Sequence, residues 1–410
     1  MAETAKAGAL SDLRVIEMGQ LLAGPFCGQL MADFGAEVIK IEAPGVGDPM
    51  REWGREKPHG KSLWWPVVAR NKKSVEINAR EAAGQEVIRD LVRRSDVLIE
   101  NFRPGTMEKW GLGYDALAAI NPRLVMIRVS GYGQTGPYAK NAGYGAIGEA
   151  MGGLRYVAGD PSNPPSRVGI SIGDTLAATF ACLGGLMALH VRERTGRGQI
   201  VDSAIYEAVL AVMENLVTEY DKAGYIRERT GSFLPNIAPS NVYPTKGGVF
   251  VLIAANQDTV FKRLAAAMGR PELAEDPRYA THTARGGRQA ELDALIGEWT
   301  AGLDREELGK ILDSHGVPRG DIYRAPEMLE DAHFKARQAI IEVPHPAFGS
   351  LKMQNVAPKL SETPGRVERP GPELGEHNGE VFSGLLGYGA DQLEALTRDG
   401  IIGATARKAA

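Results

Sequence analysis

Short apolar runs alternate with amphipathic stretches from Leu13 to Gly133. The run LRVIEM at Leu13 is followed by the turn GQLLAGP, the helical pattern CGQLMADFG and a second apolar run, AEVIKIE. Two such runs joined by one helix with short connections are typical of parallel strands. The pattern continues with KKSVEIN, a helical stretch over 82–94, DVLIEN and LVMIRVSGYG. It predicts an α/β fold built on an open, doubly wound, Rossmann-like parallel sheet.

The pattern changes at about Gly169, where longer apolar stretches begin. ISIGDTLAATFACLGGLMALHVRER and SAIYEAVLAVMENLVTEY are each predicted as one long helix, with the loop TGRGQ between them. The longest apolar stretch runs from Leu176 to Val191 and carries two glycines and a histidine. It is too short to span a bilayer comfortably, so we interpret it as a buried helix.

A second domain is predicted beyond Arg227. A glycine- and proline-punctuated stretch leads there into the apolar run VFVLIAA and amphipathic helices, which predicts a smaller α+β domain over 228–330. The tail holds PHPAFGSLKM, a proline-rich run and a last helical pattern, GADQLEALTRDG. Since proline-rich segments commonly run extended across a surface, we expect residues 331–410 to return and complete a large domain over 1–227.

Composition narrows the class of protein. The chain has 410 residues, 43% of them apolar, and a net charge of −4, which suits a globular protein and argues against a nucleic-acid binder. Two cysteines cannot build a disulfide framework or a cysteine-rich metal site. The N-terminal residues lack the apolar core of a secretory signal. We therefore expect a cytoplasmic protein that needs no membrane.

The residues offer few motifs of known chemistry. Walker, HExxH and Gly-x-Ser-x-Gly patterns are absent, and GQLLAGP lacks the dinucleotide fingerprint, so neither a metal nor a nucleotide cofactor is expected. Asp174 stands out because it follows Gly173 and precedes an apolar helix. An aspartate there is interpreted either as an N-cap or as an ionised carboxylate that attacks a thioester. The residues alone leave both open.

A resemblance favours the second interpretation. The resemblance rests on sequence segments that follow one another along the chain in this order: LAGPFCGQLMADFGAEVIKIEAPGVGD, NKKSVEIN, DVLIENFRPGTMEKWGLGYDAL, GYGQTGPYA, GISIGDTLAA, TGRGQIVD and HGVPRGDIY. From about Leu10 to Thr397 the chain resembles the family III CoA-transferases of the CaiB/BaiF type. The resemblance implies Asp174 as the nucleophile, coenzyme A or acyl-CoA as a substrate, and an interlocked homodimer whose two chains thread through one another.

It also implies a set of binding residues. Those expected to contact CoA are Gln20, Leu21, Leu22, Ala23, Ile77, Asn101, Phe102, Arg103, Thr106, Lys109 and Tyr144; those expected to shape the acyl pocket are Trp53, Trp64 and again Tyr144. The sequence departs from formyl-CoA transferases at Ala43, where they have a basic residue, and at 231–240, GSFLPNIAPS, where they have a run of glycines. One phosphate contact and the element that closes the site are therefore expected to differ.

Other functions within and outside the family remain open. Racemases of the family place a histidine where this chain has Tyr144, which is unsuitable as a base. A non-catalytic CoA-binding subunit would not need the retained Gly173-Asp174 pair. We expect succinyl-CoA as donor and a small dicarboxylate such as itaconate, mesaconate, citramalate or malate as acceptor, with aromatic succinates and carnitine-like acids as alternatives. Arg51, Arg70 and Arg167 are candidates for holding the second carboxylate.

Overall fold

A computed structural model of the chain describes residues 7–404. These residues divide into two compact units. The first comprises 7–154, Val168–Val217 and 335–404, and the second comprises Arg155–Arg167 and Thr218–Phe334. The domain boundaries at 228 and 330 that the sequence suggests stay a prediction.

A six-stranded parallel sheet forms the centre of the first unit, with the strand order β3-β2-β1-β4-β5-β6. Its inner strands are buried on both faces by helices, which is why they appear in the sequence as nearly continuous apolar runs. The strands are β1 (Arg14–Glu17), β2 (Glu37–Glu42), β3 (Lys72–Glu76), β4 (Val97–Glu100), β5 (Val125–Ser130) and β6 (Ile200–Ala204). The predicted doubly wound α/β fold is confirmed.

The strand order reverses at β1, which pairs in parallel with β2 on one side and with β4 on the other. The carboxyl ends of β1 and β4 therefore diverge into a crevice. In open α/β sheets ligands bind at such a switch point. The loops after these two strands, which start at Met18 and Asn101, are thus placed to form a site.

Helices cover both faces of the sheet and build most of the second unit. In chain order the first are α1 (Ala23–Asp33), α2 (Trp65–Val68), α3 (Ala82–Val92), α4 (Thr106–Lys109), α5 (Tyr114–Ile120), α6 (Gly145–Met151), α7 (Leu154–Val157), α8 (Ile172–Thr195) and α9 (Ile205–Leu210). They are followed by α10 (Leu216–Ala223), α11 (Asp258–Ala267), α12 (His282–Gly286), α13 (Gln289–Ala301), α14 (Arg305–Ser314), α15 (Ala325–Glu330), α16 (Ala332–Arg337) and α17 (Ala390–Arg398).

The interpretation of residues 203–220 as one helix is wrong. Ser203 and Ala204 end β6, which pairs in parallel with β5, and only then does α9 begin. The chain breaks again before α10, where Glu214 has a φ of +52°. The apolar residues of β6, α9 and α10 follow one another without a turn signal, so they imitate a single helical pattern.

The C-terminal segment packs on the first unit. Its strands β10 (Ile340–His345) and β11 (Gly349–Gln354) form an antiparallel hairpin. Beyond them, the indole N–H of Trp65 donates to Pro372 O at 2.7 Å, and Asn78 N donates to Ile401 O at 2.8 Å. These bonds tie the tail to the edge of the sheet that β3 forms.

The second unit has its own antiparallel sheet, in the order β7-β8-β9. The strands are β7 (Ser240–Pro244), β8 (Phe250–Ala254) and β9 (Arg319–Asp321). Its core contains a fully buried arginine, Arg285, whose guanidinium donates to the backbone carbonyls of Ala238, Tyr279 and Asn256 at 2.7–3.1 Å. Because a buried cation must be satisfied, these bonds hold the connecting loops around it in place.

Candidate active site

The turn after β1 and the start of the loop after β4 are joined by a pair of hydrogen bonds. Gln20 N donates to Asn101 Oδ1 at 2.8 Å, and Asn101 Nδ2 donates back to Gln20 O at 2.9 Å. Two residues predicted to bind CoA therefore meet across the switch point. The backbone groups of Gln20 are satisfied by this exchange, which leaves its side chain at the crevice.

A cleft of about 690 Å³ opens beside this pair. Four predicted CoA contacts line it: Gln20, Ile77, Phe102 and Thr106. The remaining lining residues are Met18, Ile41, Glu42, Ala43, Pro44, Val46, Gly47, Pro49, Asn78, Ala79, Arg80, Trp110 and Gly400. Phe102 packs edge-on against Trp110, with their ring centroids 5.1 Å apart. The cleft thus has an aromatic and aliphatic wall with polar groups at its rim, as ligand pockets usually have.

Arg80 is a cleft residue that the sequence reasoning missed. Its side chain is exposed and lines the same cleft as Ala43. The signal was present in the sequence, since Arg80 lies three residues after Ile77 in INAR. An exposed cation there can replace the basic residue that is absent at position 43.

Other residues predicted to contact CoA do not line the cleft. Arg103 and Lys109 are exposed and lie outside the lining of the cleft. Leu22 and Ala23 are buried at the start of α1, and Leu22 packs in an apolar cluster with Met50. Their side chains therefore pack in the protein interior next to the turn and do not line the cleft.

Asp174 lies in the first turn of α8, a 24-residue helix whose N-cap is Ser171. The N-cap position predicted for Asp174 is therefore wrong. Serine and aspartate are both preferred at N-caps, and Ser171 lies only three residues before Asp174, so the local pattern does not decide between the two starts. An acidic side chain in the first turn is still favoured by the helix dipole, and Asp174 is half-buried.

Glycine makes room for the Asp174 carboxylate. A Cβ added at Gly145, the first residue of α6, would lie 2.2 Å from Asp174 Oδ2 and 2.6 Å from its Cγ. One turn further along α6, the buried Glu149 accepts a hydrogen bond from Gly173 N at 3.3 Å. The start of α6 thus packs directly on the start of α8, with the carboxylate at the contact.

The predicted acyl-pocket aromatics are all exposed. Trp53 and Trp64 pack edge-on at a centroid distance of 5.9 Å and are about 40% exposed (41% and 40%). Tyr144 is 69% exposed and is the N-cap of α6, directly before Gly145. Their contact with an acyl group, like that of Tyr144 with CoA, stays a prediction.

Two of the arginines considered for the second carboxylate already bind carboxylates of the chain. Arg70 Nη2 lies 2.6 Å from Asp33 Oδ2, with both side chains buried. Arg51 donates to both oxygens of Glu42 at 2.8 Å, and its guanidinium lies 3.7 Å from the centroid of the Trp65 ring. They are therefore poorly placed to receive a substrate. Arg167 belongs to the second compact unit.

Within residues 7–404, no group of three or more His, Cys, Asp or Glu side chains is arranged to hold a metal ion. Cys27 and Cys182 are free thiols and both are buried. The polar and charged side chains that line the cleft are those of Gln20, Glu42, Asn78, Arg80 and Thr106.

The sequence model of a family described as CoA-transferase family III matches residues 10–378. The chain belongs to the family III CoA-transferases. It is 60% identical to a succinyl-CoA–D-citramalate CoA-transferase of Chloroflexus aurantiacus over 96% of this chain and 98% of the relative. It is 41% identical to the beta subunit of a succinyl-CoA–L-malate CoA-transferase of the same organism, with 96% and 98% covered.

Solved structures agree with this family. A CaiB/BaiF family protein from Brucella suis superposes with a TM-score of 0.82 at 34% identity, covering 93% of this chain and 100% of that one. The protein is therefore an enzyme that transfers CoA, and its substrates are CoA thioesters and carboxylic acids. The racemase alternative is set aside.

Proposed function

We propose that this CoA-transferase moves CoA from succinyl-CoA to citramalate. The observation that supports this most is the 60% identity to a succinyl-CoA–D-citramalate CoA-transferase along nearly the whole of both chains. A relative that uses L-malate is 41% identical. Both acceptor names denote small hydroxylated dicarboxylates, the acceptor class expected from the sequence.

Asp174 is the proposed nucleophile. Its carboxylate oxygen attacks the thioester carbon of succinyl-CoA; the C–S bond breaks, giving an aspartyl–succinyl anhydride and CoA thiolate. The thiolate attacks the aspartyl carbon, releases succinate and leaves an aspartyl–CoA thioester. The acceptor carboxylate attacks this thioester, and the released thiolate takes the acceptor acyl group, which regenerates the Asp174 carboxylate. An activated carboxyl group is retained at every stage.

The geometry around Asp174 supports this role. Its side chain is half-buried, so an acyl group can reach it, and Gly145 leaves no side chain against the carboxylate. The start of α8 adds the positive end of a long helix dipole, which stabilises the ionised, nucleophilic form.

The proposed place for CoA is the cleft at the switch point. Its aromatic wall at Phe102 and Trp110 suits the adenine ring, and Arg80 at the rim suits a phosphate group. The Gln20 turn then lies along the pantetheine arm. Leu21, Arg103, Lys109, Trp53 and Trp64 keep their predicted roles as hypotheses.

A second copy of the chain is the proposed partner. Helix α8 has the length and the apolar composition of a membrane-spanning helix. Core helices of globular proteins share both properties. Phe180, Leu183 and Met187 lie on one face of α8, and the last two are 47% and 59% exposed. In the family's interlocked homodimer such an apolar stripe would be covered by the partner chain, and dilution would not release a stable monomer.

Intact-mass analysis tests the chemistry. The protein is incubated with succinyl-CoA and quenched with hydroxylamine, which traps an activated aspartyl group as a hydroxamate. We expect a modification mapped to Asp174 in the wild type and none in Asp174→Ala. Asp12→Asn, which changes an exposed carboxylate, is the matched control and is expected to behave as the wild type.

Turnover by the isolated chain tests the substrates. We expect citramalate to accept CoA from succinyl-CoA with a higher kcat/KM than malate, itaconate or mesaconate. Transfer to another acid with a higher kcat/KM would overturn the acceptor assignment. An Asp174→Ala variant that transfers CoA at the wild-type rate would overturn the nucleophile. If the isolated chain transfers no CoA, it acts instead as a subunit of a larger assembly.

A further inference from the structure

The turn after β1 contains a strained residue. Leu21 has a φ of +62°, in the left-handed region that residues with a Cβ rarely adopt. Such a conformation persists only where the surroundings over-determine it, and it is concentrated at functional sites. Leu21 directly follows Gln20, which lines the cleft. The conformation of this turn therefore sets where the Gln20 side chain lies.

One buried ion pair forms hydrogen bonds with both ends of the turn. Lys40 Nζ lies 2.8 Å from Asp48 Oδ2, and the two side chains are each 1% exposed. The same ammonium donates to Gly19 O at 2.8 Å, while Asp48 Oδ1 accepts from Leu21 N at 3.1 Å. The residue before Gln20 and the residue after it are thus held by the two members of one pair.

A second buried pair completes the network. Glu17 Oε1 accepts from Lys40 at 2.9 Å, and Glu17 Oε2 lies 2.7 Å from Lys72 Nζ. Lys72 also donates to Pro25 O at 2.6 Å, in the first turn of α1. Two cations and two carboxylates are therefore buried together below the turn. Burying such groups costs desolvation free energy that apolar packing would avoid, so stability alone does not account for their place.

We propose that Lys40 and Asp48 are positioning residues, which hold the 19–21 turn in its strained conformation so that it fits the CoA thioester. This assignment rests on the proposed function of the cleft. Neither residue lines the cleft, so they act through Gly19 and Leu21. Breaking the pair lets the turn relax toward negative φ at Leu21 and moves Gln20.

Isothermal titration with CoA compares two matched variants. Asp48→Asn keeps an oxygen for Leu21 N but removes the charge that pairs with Lys40. Asp33→Asn breaks another buried pair of the same unit, with Arg70, in which Nη2 and Oδ2 are 2.6 Å apart. We expect both variants to lose stability but only Asp48→Asn to raise the Kd for CoA, by about tenfold, equivalent to about 1.4 kcal/mol.

A double-mutant cycle isolates the role of the turn. Glycine adopts positive φ without strain, so in a Leu21→Gly background the turn needs less support. The fold-increase in Kd caused by Asp48→Asn should then be smaller than in the wild type, whatever Leu21→Gly does by itself. A purely structural role of the pair predicts the same fold-increase in both backgrounds.

The outcomes separate the two proposals. A wild type that does not bind CoA overturns the proposed function and this assignment with it. If the wild type binds CoA but Asp48→Asn and Asp33→Asn raise the Kd for CoA by the same factor, only the assignment is overturned. The same holds if Asp48→Asn raises the Kd by the same factor in the wild-type and Leu21→Gly backgrounds. If Asp48→Asn does not fold, Lys40→Gln replaces it in the same cycle, because it keeps a donor for Gly19 O.

Discussion

The turn at the end of β1 and the contact between α6 and α8 are built in opposite ways. Directional bonds to buried charges fix the turn: Lys40 and Asp48 hold its backbone at distances of 2.8–3.1 Å. At the helix contact the carboxylate of Asp174 lies against Gly145, where a methyl group would lie 2.2 Å from an oxygen. One region is shaped by charged side chains, the other by the absence of a side chain.

The difference follows from what each region has to present. The turn presents a backbone conformation that Leu21 does not favour by itself, and only directional bonds can impose it. In the proposed mechanism the helix contact presents a carboxylate to an incoming carbon atom, and a neighbouring side chain would obstruct or displace that carboxylate. Substitutions in the first region should therefore act on stability and CoA binding, and those in the second on turnover.

Lys40→Met should have the largest effect. It leaves Asp48 and Glu17 buried without the cation that lies within 2.9 Å of both. Removing one partner of a buried pair typically costs about 3–5 kcal/mol of unfolding free energy. Urea denaturation measures it. The control Lys61→Met removes an exposed pair with Glu373, for which at most about 1 kcal/mol is expected. If Lys40→Met and Lys61→Met lose the same unfolding free energy, the buried charges have no special role in stability.

Gly145→Ala should damage turnover at the second region. The added methyl pushes the Asp174 carboxylate away, and a misplacement of about 1 Å can cost roughly 100-fold in rate. We expect kcat to fall by about that factor, while the Kd for CoA stays unchanged. Gly297→Ala, on α13, adds a methyl with no neighbouring heavy atom within 4 Å and should leave kcat as it is. A Gly145→Ala variant with normal kcat would remove the steric argument.

Arg80→Ala should have a smaller effect, confined to CoA binding. An exposed cation that meets a phosphate contributes about tenfold in affinity, and salt screens part of it. Titration calorimetry at low and high salt should show a loss of about tenfold that shrinks as salt rises. Arg55→Ala removes a 95% exposed side chain and serves as the control. A loss that salt does not change would place Arg80 outside the phosphate contact.

The sequence predicts the sheet well because its buried strands are apolar runs with short connections, as in AEVIKIE. It does not predict the hydrogen bonds between Gln20 and Asn101, because only the fold shows that the two strands before these residues are neighbours in the sheet. It fails at 203–220, where a strand and two helices share one apolar pattern. Pairing with β5, which settles the strand, is a long-range contact that local patterns do not carry.

The buried network was likewise beyond the sequence. Lys40 lies within an apolar run and Asp48 within a loop, and each by itself is typical of an exposed residue. Only the fold brings them within 2.8 Å. The same holds for Gly145, because the residue that it accommodates, Asp174, lies two elements further along the chain.

The smallest effect concerns acid, and it tests the charge on Asp48 directly. Burial alone would raise the pKa of Asp48, but Lys40 and the backbone amides of Met50 and Leu21 lower it below its usual value. A carboxyl whose pKa is lower in the folded state stabilises the fold at pH values above its unfolded pKa of about 3.9. That contribution is lost as the pH falls from about 5 through the folded pKa, because the unfolded chain takes up the proton first.

Asp48→Asn lacks this contribution, so its unfolding free energy should fall less steeply with decreasing pH than that of the wild type. One proton can change the slope by at most about 1.4 kcal/mol per pH unit, and the expected difference in slope is a fraction of that value. Urea denaturation between about pH 5 and pH 3 compares the slopes; a wild-type slope in Asp48→Asn, or the same change in the exposed Asp12→Asn, would show that Asp48 carries no such charge.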